Sequence, residues 1–243
     1  MIMSIRHLVN SRIAATICAA WLCVLPTLSV AQNAQAHAMQ PAPDLDLTIN
    51  YFNRELTPDG VLHENSYEEK MQRRSGHVWT RRVLPNLTAG DTTHPNHEHK
   101  DFNHIVLPRH ITFDGKKISV TFINTHDRQV IDIAPTEYEN VNFDGSWLNA
   151  YYLIDPKTVA AMPVSQRAST VANARWHEMK KNGLFQRVLW NEKLLIPLII
   201  ETGDQANTFF QRIKVSPNAK LAKDLPWLNQ QGYAQKEYSD FLD

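Results

Sequence analysis

The sequence predicts a mainly β fold with one principal helix (α+β), arranged as an antiparallel sheet or sandwich with long loops. Several short segments alternate apolar and polar residues with a period of two, as half-buried strands do, and polar turn signals separate them. Only residues 165–181 repeat their apolar side chains at helical spacing. One sheet with one covering helix is the simplest fold that satisfies both patterns.

Residues 1–31 are typical of an export signal. Arg6 and Arg12 precede an apolar stretch over residues 13–28, and Ser29-Val30-Ala31 supplies small side chains at a cleavage position. No later stretch approaches the roughly 18 apolar residues that a membrane-spanning helix needs. We therefore expect a periplasmic, outer-surface or secreted protein without a transmembrane segment.

The expected mature chain has a short arm and a single domain. Residues 32–43 are rich in Ala, Gln and Pro without periodicity, which predicts a flexible arm, and residues 44–243 suffice for one β-rich metal-binding domain. Cleavage after Ala36 is an alternative. It would leave His37 as the first mature residue and a possible copper ligand.

The composition limits the metal ligands and the partners that the mature chain can have. Cys18 and Cys23 both lie in the predicted signal, so a metal in the mature chain must bind through imidazole, carboxylate, thioether or carbonyl groups. The signal contains two of the 25 basic residues and no acidic residue, which leaves 23 basic against 25 acidic residues and a net charge of −2. Without a basic patch, a nucleic-acid partner is not expected.

The first half of the domain is read as strands separated by loops. Residues 45–51 alternate as a strand, and residues 54–74 are polar and predict a long loop with one helical turn near 67–71. Residues 77–84 predict a second strand. Residues 88–103 combine Gly, Pro, Asn and Asp and predict a loop.

Two hairpins and one helix are expected in the remainder. Asp114-Gly115 marks the first hairpin turn and residues 124–128 the second, with 130–133 as the return strand. For the helix over residues 165–181, Ser165 is a suitable N-cap and Gly183 follows the end. The other predicted strands are residues 147–154, 187–190, 194–200 and 209–215.

The histidines fall in two settings. His77-Val78-Trp79 lies in a predicted strand, where residues two apart share a face. The second setting is the predicted loop and its surroundings, which are candidates for a secondary metal site because neutral imidazole is the commonest metal ligand in proteins. These candidates are His94, His97, His99 and His110.

The His77-Val78-Trp79 segment, together with His126 placed 49 residues after His77, resembles the copper-repressible, surface-associated copper-binding proteins of methane-oxidising bacteria, the CorA and MopE group. The resemblance implies a mononuclear Cu(I) site formed by His77 and His126 near Trp79. It further implies that Trp79 is oxidised to kynurenine by a MauG-like dihaem peroxidase. His110, 33 residues after His77, is a rival for the second ligand.

The expected function is therefore copper binding outside the cytoplasm, for acquisition or storage, without catalysis. Copper stands at the top of the divalent affinity order for imidazole-type sites. Two alternatives remain open. One is a copper protein that uses His37, and the other is a periplasmic zinc- or iron-dependent enzyme built on His97, His99 and His104.

Overall fold

The computed structural model describes residues 42–84 and 102–242. The predicted export signal, most of the predicted arm, His37, and the predicted loop with His94, His97 and His99 lie outside the described residues. The described residues belong to one compact unit.

The described chain forms an open sheet of eleven strands. The strand order is β11-β6-β5-β4-β3-β2-β1-β10-β9-β8-β7, and every neighbouring pair is antiparallel except β11 with β6. The mainly β class is confirmed, with one antiparallel sheet instead of a sandwich. The strands are β1 Leu45–Leu56, β2 Leu62–Arg74, β3 His77–Val83, β4 Arg109–Phe113, β5 Ile118–Asn124, β6 Gln129–Ile133, β7 Ala174–Lys181, β8 Leu184–Asn191, β9 Ile196–Asp204, β10 Phe209–Pro217 and β11 Ala234–Glu237.

The helices of the described chain are short. Helix α1 spans Trp147–Tyr152 and α2 spans Pro156–Ala161. Three 3₁₀ helices span Pro135–Val141, Pro226–Leu228 and Tyr238–Phe241.

Both predicted hairpins are confirmed. The turn at Asp114-Gly115 joins β4 to β5, and residues 125–128 join β5 to β6. Asp114 Oδ1 accepts hydrogen bonds from the backbone N–H groups of Lys116 and Lys117, both at 2.8 Å, which stabilises the first turn. Predicted strands over residues 45–51, 77–84, 187–190, 194–200 and 209–215 coincide with β1, β3, β8, β9 and β10.

The predicted helix over residues 165–181 is wrong. Residues 174–181 form β7, in which Ala174 and Trp176 are buried on one face at a spacing of two. The decisive signal is Asn182-Gly183, whose φ angles of 52° and 78° close a tight hairpin between β7 and β8. Because the sheet offers Trp176 a buried position, strand pairing overrides the helical spacing.

Two further predictions are wrong. The polar residues 62–74 are a strand, since Asp59-Gly60 turns the chain back and β2 pairs with β1 from Leu62 to Arg73. Residues 147–152 are helix α1 and not a strand. Ser146 caps this helix by accepting a hydrogen bond from the backbone N–H of Asn149 at 3.1 Å.

The sheet has two faces with separate apolar clusters. The larger cluster covers the first face and includes Leu47, Ile49, Val78 and Ile111 with side chains of both α-helices. A smaller cluster lies on the second face and contains Trp79, Ile123, Val130, Trp227 and Tyr233. His77 of the predicted site and its rival ligand His110 lie on this second face, against Trp227.

Arg73 connects the first face to the segments above it. Its side chain is fully buried, and its guanidinium donates to the carbonyl oxygens of Pro43 at 3.0 Å, Leu194 at 2.8 Å and Leu195 at 3.2 Å. Burial lowers the pKa of Arg73 from its ordinary value. These bonds hold the turn before β9 against β2, on the side of the sheet away from the histidines.

Candidate metal centre

Register on β3 and β4 brings three predicted site residues together. His77 and Trp79 point to the second face because Val78 between them is in the core of the first face. His110 lies directly across from Trp79 in the β3–β4 pair, and His77 is opposite Thr112. His77 and His110 are thus diagonal neighbours on adjacent strands, a position from which long side chains reach each other.

The two imidazoles meet edge to edge. Nδ1 of His77 is 3.1 Å from Nε2 of His110, the ring centroids are 5.3 Å apart, and the ring planes differ by 11°. The distance between the two nitrogens is 2.2 Å shorter than the distance between the ring centroids. That difference matches the two ring radii added together, so the two nitrogens point at each other. One nitrogen donates its N–H to the lone pair of the other.

Trp227 covers this histidine pair. Its ring is nearly parallel to both imidazoles, at 6° to His77 and 17° to His110, with centroid separations of 5.2 and 5.3 Å. Trp79 completes the cluster from the side, tilted by 50° to His110 at 5.7 Å. The nitrogen pair therefore lies beneath one indole face and beside a second indole.

Trp227 belongs to a segment that crosses the second face, residues 218–233, which we call the crossing segment. At its start, the backbone N–H of Ala222 donates to Oδ2 of Asp46 at 2.6 Å, and Asp46 is paired with Arg74 at 2.8 Å. At its end, Arg128 lies over the ring of Tyr233 at 5.5 Å. Strand β11 then continues the chain along β6.

Burial keeps His110 neutral. Only 8% of the residue is exposed, and desolvation, followed by the nearby His77, lowers the pKa of His110 to about 4. A metal ion binds neutral imidazole and competes with protons for the same lone pair. His110 therefore offers a lone pair without competition from a proton across the neutral and mildly acidic range.

His77, but not His110, lines a cavity of about 690 Å³ at the end of the sheet where β3 begins. Thr112 and Ser119 also line it, and Trp147 and Tyr151 contribute aromatic walls from α1, which packs on the first face. His77 is half-buried, whereas His110 is buried. An ion entering from this cavity would reach His77 first.

The structure places the other predicted ligands elsewhere. His126 lies in the turn between β5 and β6 with 95% of its side chain exposed, and its Nε2 is 3.8 Å from Oδ1 of Asp127. His104 lies beside Asn142, with Nε2 and Nδ2 3.0 Å apart. The structure thus brings His77, Trp79 and His110 together and does not bring His126 to them.

Trp227 was not predicted from the sequence. It follows the last long strand in a polar stretch, where Leu225-Pro226-Trp227-Leu228 is the one apolar group. That local pattern marks a segment that packs against something. It does not reveal which face, because the contact joins residues 150 positions apart in the chain.

Within residues 42–84 and 102–242, no three His, Cys, Asp or Glu side chains gather as a metal-binding group. No helix in the same two ranges is long and apolar enough to cross a membrane.

Comparison with known proteins gives no family. No family model and no curated protein matches the sequence. Among solved structures, PNGF-II is similar at 12% identity and a TM-score of 0.36, over 82% of this chain and 33% of that one. The MucA/MucB complex of Pseudomonas aeruginosa is similar at 7% identity and a TM-score of 0.36, over 77% and 56%.

A LolA superfamily protein from Nitrosomonas europaea is similar at 8% identity and a TM-score of 0.32, over 75% of this chain and 89% of that one. The chain spans less than two thirds of the PNGF-II and MucB chains.

Proposed function

We propose that this protein is an exported copper-binding protein that holds one Cu(I) ion between His77 and His110, for acquisition or storage. The single observation that carries the proposal is the approach of Nδ1 of His77 to Nε2 of His110, at 3.1 Å on one sheet face. Two imidazole nitrogens that point at each other are a ligand pair for a soft ion of low coordination number.

The pair needs only a small adjustment to accept a metal. Metal–imidazole bonds of about 2.0 Å separate two opposed nitrogens by at most roughly 4 Å, so the rings must part by about 1 Å. His77 is the ring able to move, because it is half-buried, follows the turn at Gly76 and faces the cavity. Shifting the shared proton to the outer nitrogen of its ring then presents both lone pairs to the ion.

Supporting geometry favours His110 over His126 as the second ligand. His110 is held by strand pairing on both sides, opposite Trp79 of β3 and opposite Thr121 of β5. His126 is almost wholly exposed in a turn. A rigidly placed ligand loses less conformational entropy on binding, so the buried residue gives the tighter site.

Oxidation of Trp79 to kynurenine is a further part of the proposal. Two equivalents of hydrogen peroxide, used by a MauG-like dihaem peroxidase, would supply two oxygen atoms, open the indole to N-formylkynurenine and release two waters. Hydrolysis then removes the formyl group as formate. Oε1 of Gln72, which is buried without a hydrogen-bond partner among the described residues and lies across from Trp79, would accept a bond from the new aromatic amine.

Metal analysis and intact mass of the exported protein test this function. Purified without added metal, the protein should contain about one copper per chain. Modification of Trp79 gains one oxygen and loses one carbon, which raises the mass by about 4 Da. Zinc or iron in place of copper would overturn the copper proposal. An unmodified mass with bound copper would remove only the kynurenine step.

A further inference from the structure

Trp227 lies where a bound ion would meet an aromatic face. Resting on the copper site proposed above, we infer that the indole of Trp227 is a third partner of the ion, through a cation–π contact, and that it makes the site selective for monovalent over divalent metal.

The geometry of three rings carries this inference. The centroid separations among His77, His110 and Trp227 are 5.3, 5.2 and 5.3 Å, a nearly equilateral triangle. The median of that triangle places the Trp227 ring about 4.5 Å from the midpoint of the imidazole pair, inside the roughly 6 Å range of cation–π contacts. Trp227 is stacked on both imidazoles, so an ion held between the two nitrogens would face the indole ring and not its edge.

Trp227 is positioned by contacts of its own. Before Trp227 in the chain, the backbone N–H of Ala222 donates a hydrogen bond to the buried Asp46. After Trp227, the ring of Tyr233 packs against Val130 and lies beneath the guanidinium of Arg128. The backbone N–H of Ala234 also donates to the carbonyl oxygen of Arg128 at 2.8 Å. The indole is thus held over the histidines from both ends of the crossing segment.

The surroundings favour a monovalent ion. Cu(II) prefers a tetragonal set of nitrogen and oxygen ligands, whereas Cu(I) is satisfied by two nitrogens. Among the described residues, no third His, Asp or Glu joins the pair as a metal-binding group, and Trp79, Ile123 and Val130 make this part of the face apolar. The Trp227 ring occupies one side of the ion, where water or another hard donor would otherwise bind.

The test compares Trp227→Phe and Trp227→Leu with the parent protein. Leu removes the aromatic face and keeps an apolar side chain, whereas Phe keeps a weaker face. With Cu(I) affinity measured by competition with a chromophoric chelator, we expect Leu to weaken binding by about 30-fold and Phe by less. Cu(II) affinity should not fall in either variant. Equal Cu(I) affinity of the parent and the Leu variant, with unchanged thermal unfolding of the metal-free proteins, would overturn the inference.

Ag(I), a monovalent ion that air does not oxidise, gives a second readout that does not depend on the Leu variant folding. On adding Ag(I), the near-ultraviolet indole bands should shift in the parent and in Trp79→Phe, and the shift should be lost in Trp227→Phe. A shift that persists in Trp227→Phe assigns the contact to another indole and contradicts the inference. A parent that binds neither Ag(I) nor Cu(I) overturns the proposed function itself.

Discussion

Nδ1 of His77 lies 3.1 Å from Nε2 of His110, although the two residues are 33 positions apart in the chain. The contact exists because β3 and β4 pair antiparallel, with Trp79 opposite His110, so that His77 becomes the diagonal neighbour of His110. The proposed site is therefore built on two adjacent strands, which fix the two proposed ligands more firmly than a loop would.

Acid should destabilise the metal-free protein through His110. Its pKa of about 4 in the folded state lies below the ordinary value of 6.5. As the pH falls through that interval, the unfolded chain binds a proton at His110 that the folded chain does not bind. The free energy of unfolding therefore falls with pH. Above about pH 6.5 the free energy of unfolding is not lowered by His110, and by pH 4.5 we expect it to be lower by roughly 2 to 3 kcal/mol.

Denaturant unfolding of the parent and of His110→Asn at pH 7 and pH 4.5 measures this effect. The difference between the two proteins isolates His110 from the other histidines. An equal acid loss in both proteins would show that His110 is not the group responsible.

Removing the carboxylate of Asp46 should loosen the crossing segment. Asp46 is buried, pairs with Arg74 at 2.8 Å and accepts from the backbone of Ala222. Asp46→Ala leaves Arg74 only Asp44, 3.8 Å away and half-exposed, as an ionic partner, and we expect it to lower the free energy of unfolding by about 3 kcal/mol. Cu(I) binding should weaken as well, since Trp227 loses one anchor.

The matched control for that change is Asp44→Ala. Asp44 is half-exposed, and its Oδ2 is 3.8 Å from Nε of Arg74, so its removal should cost less than about 1 kcal/mol. Similar losses of stability for the two variants would contradict the assigned role of Asp46.

Trp79→Phe should fold and bind copper more weakly. Phe preserves most of the apolar contact of a residue that is only 5% exposed, but it cannot become kynurenine. Thermal unfolding and Cu(I) affinity are measured on the same variant. A lowered melting temperature with unchanged affinity would reduce Trp79 to a packing residue and would end the kynurenine proposal, while the two-histidine site could survive.

Replacing His94, His97 and His99 together by Asn should leave the tight copper in place. The His77–His110 pair provides two nitrogens without any of the three residues. Copper content after dialysis against a weak chelator is the measurement. Loss of copper from the triple variant would move the primary site to that segment.

The sequence predicted those parts of the fold that depend on local turn chemistry. Asp114-Gly115 and the alternating strands β1 and β3 were correctly identified, because turn residues and period-two burial are visible in the sequence. The strands β2 and β7 were missed. Their polar faces hide the alternation, and their pairing partners in the sheet decide their structure.

The candidate site, like the fold, could be predicted from the sequence only in part. That His77 and Trp79 share a face follows from strand geometry alone, and His110 was recognised as a candidate ligand. Its proximity to His77 depends on the register of β3 with β4 across the intervening residues 84–108, which no local pattern specifies. The position of Trp227 depends on a segment that returns over the sheet from the far end of the chain.

Cu(I) titration of the parent, His77→Ala, His110→Ala and His126→Ala, against a chromophoric chelator and without oxygen, tests whether His77 and His110 hold the copper. We expect one tight equivalent for the parent and for His126→Ala, and none for His77→Ala or His110→Ala, while thermal unfolding shows that each variant is folded. Tight copper in His110→Ala together with its loss in His126→Ala would rule out the His77–His110 site and would assign the second ligand to the exposed turn.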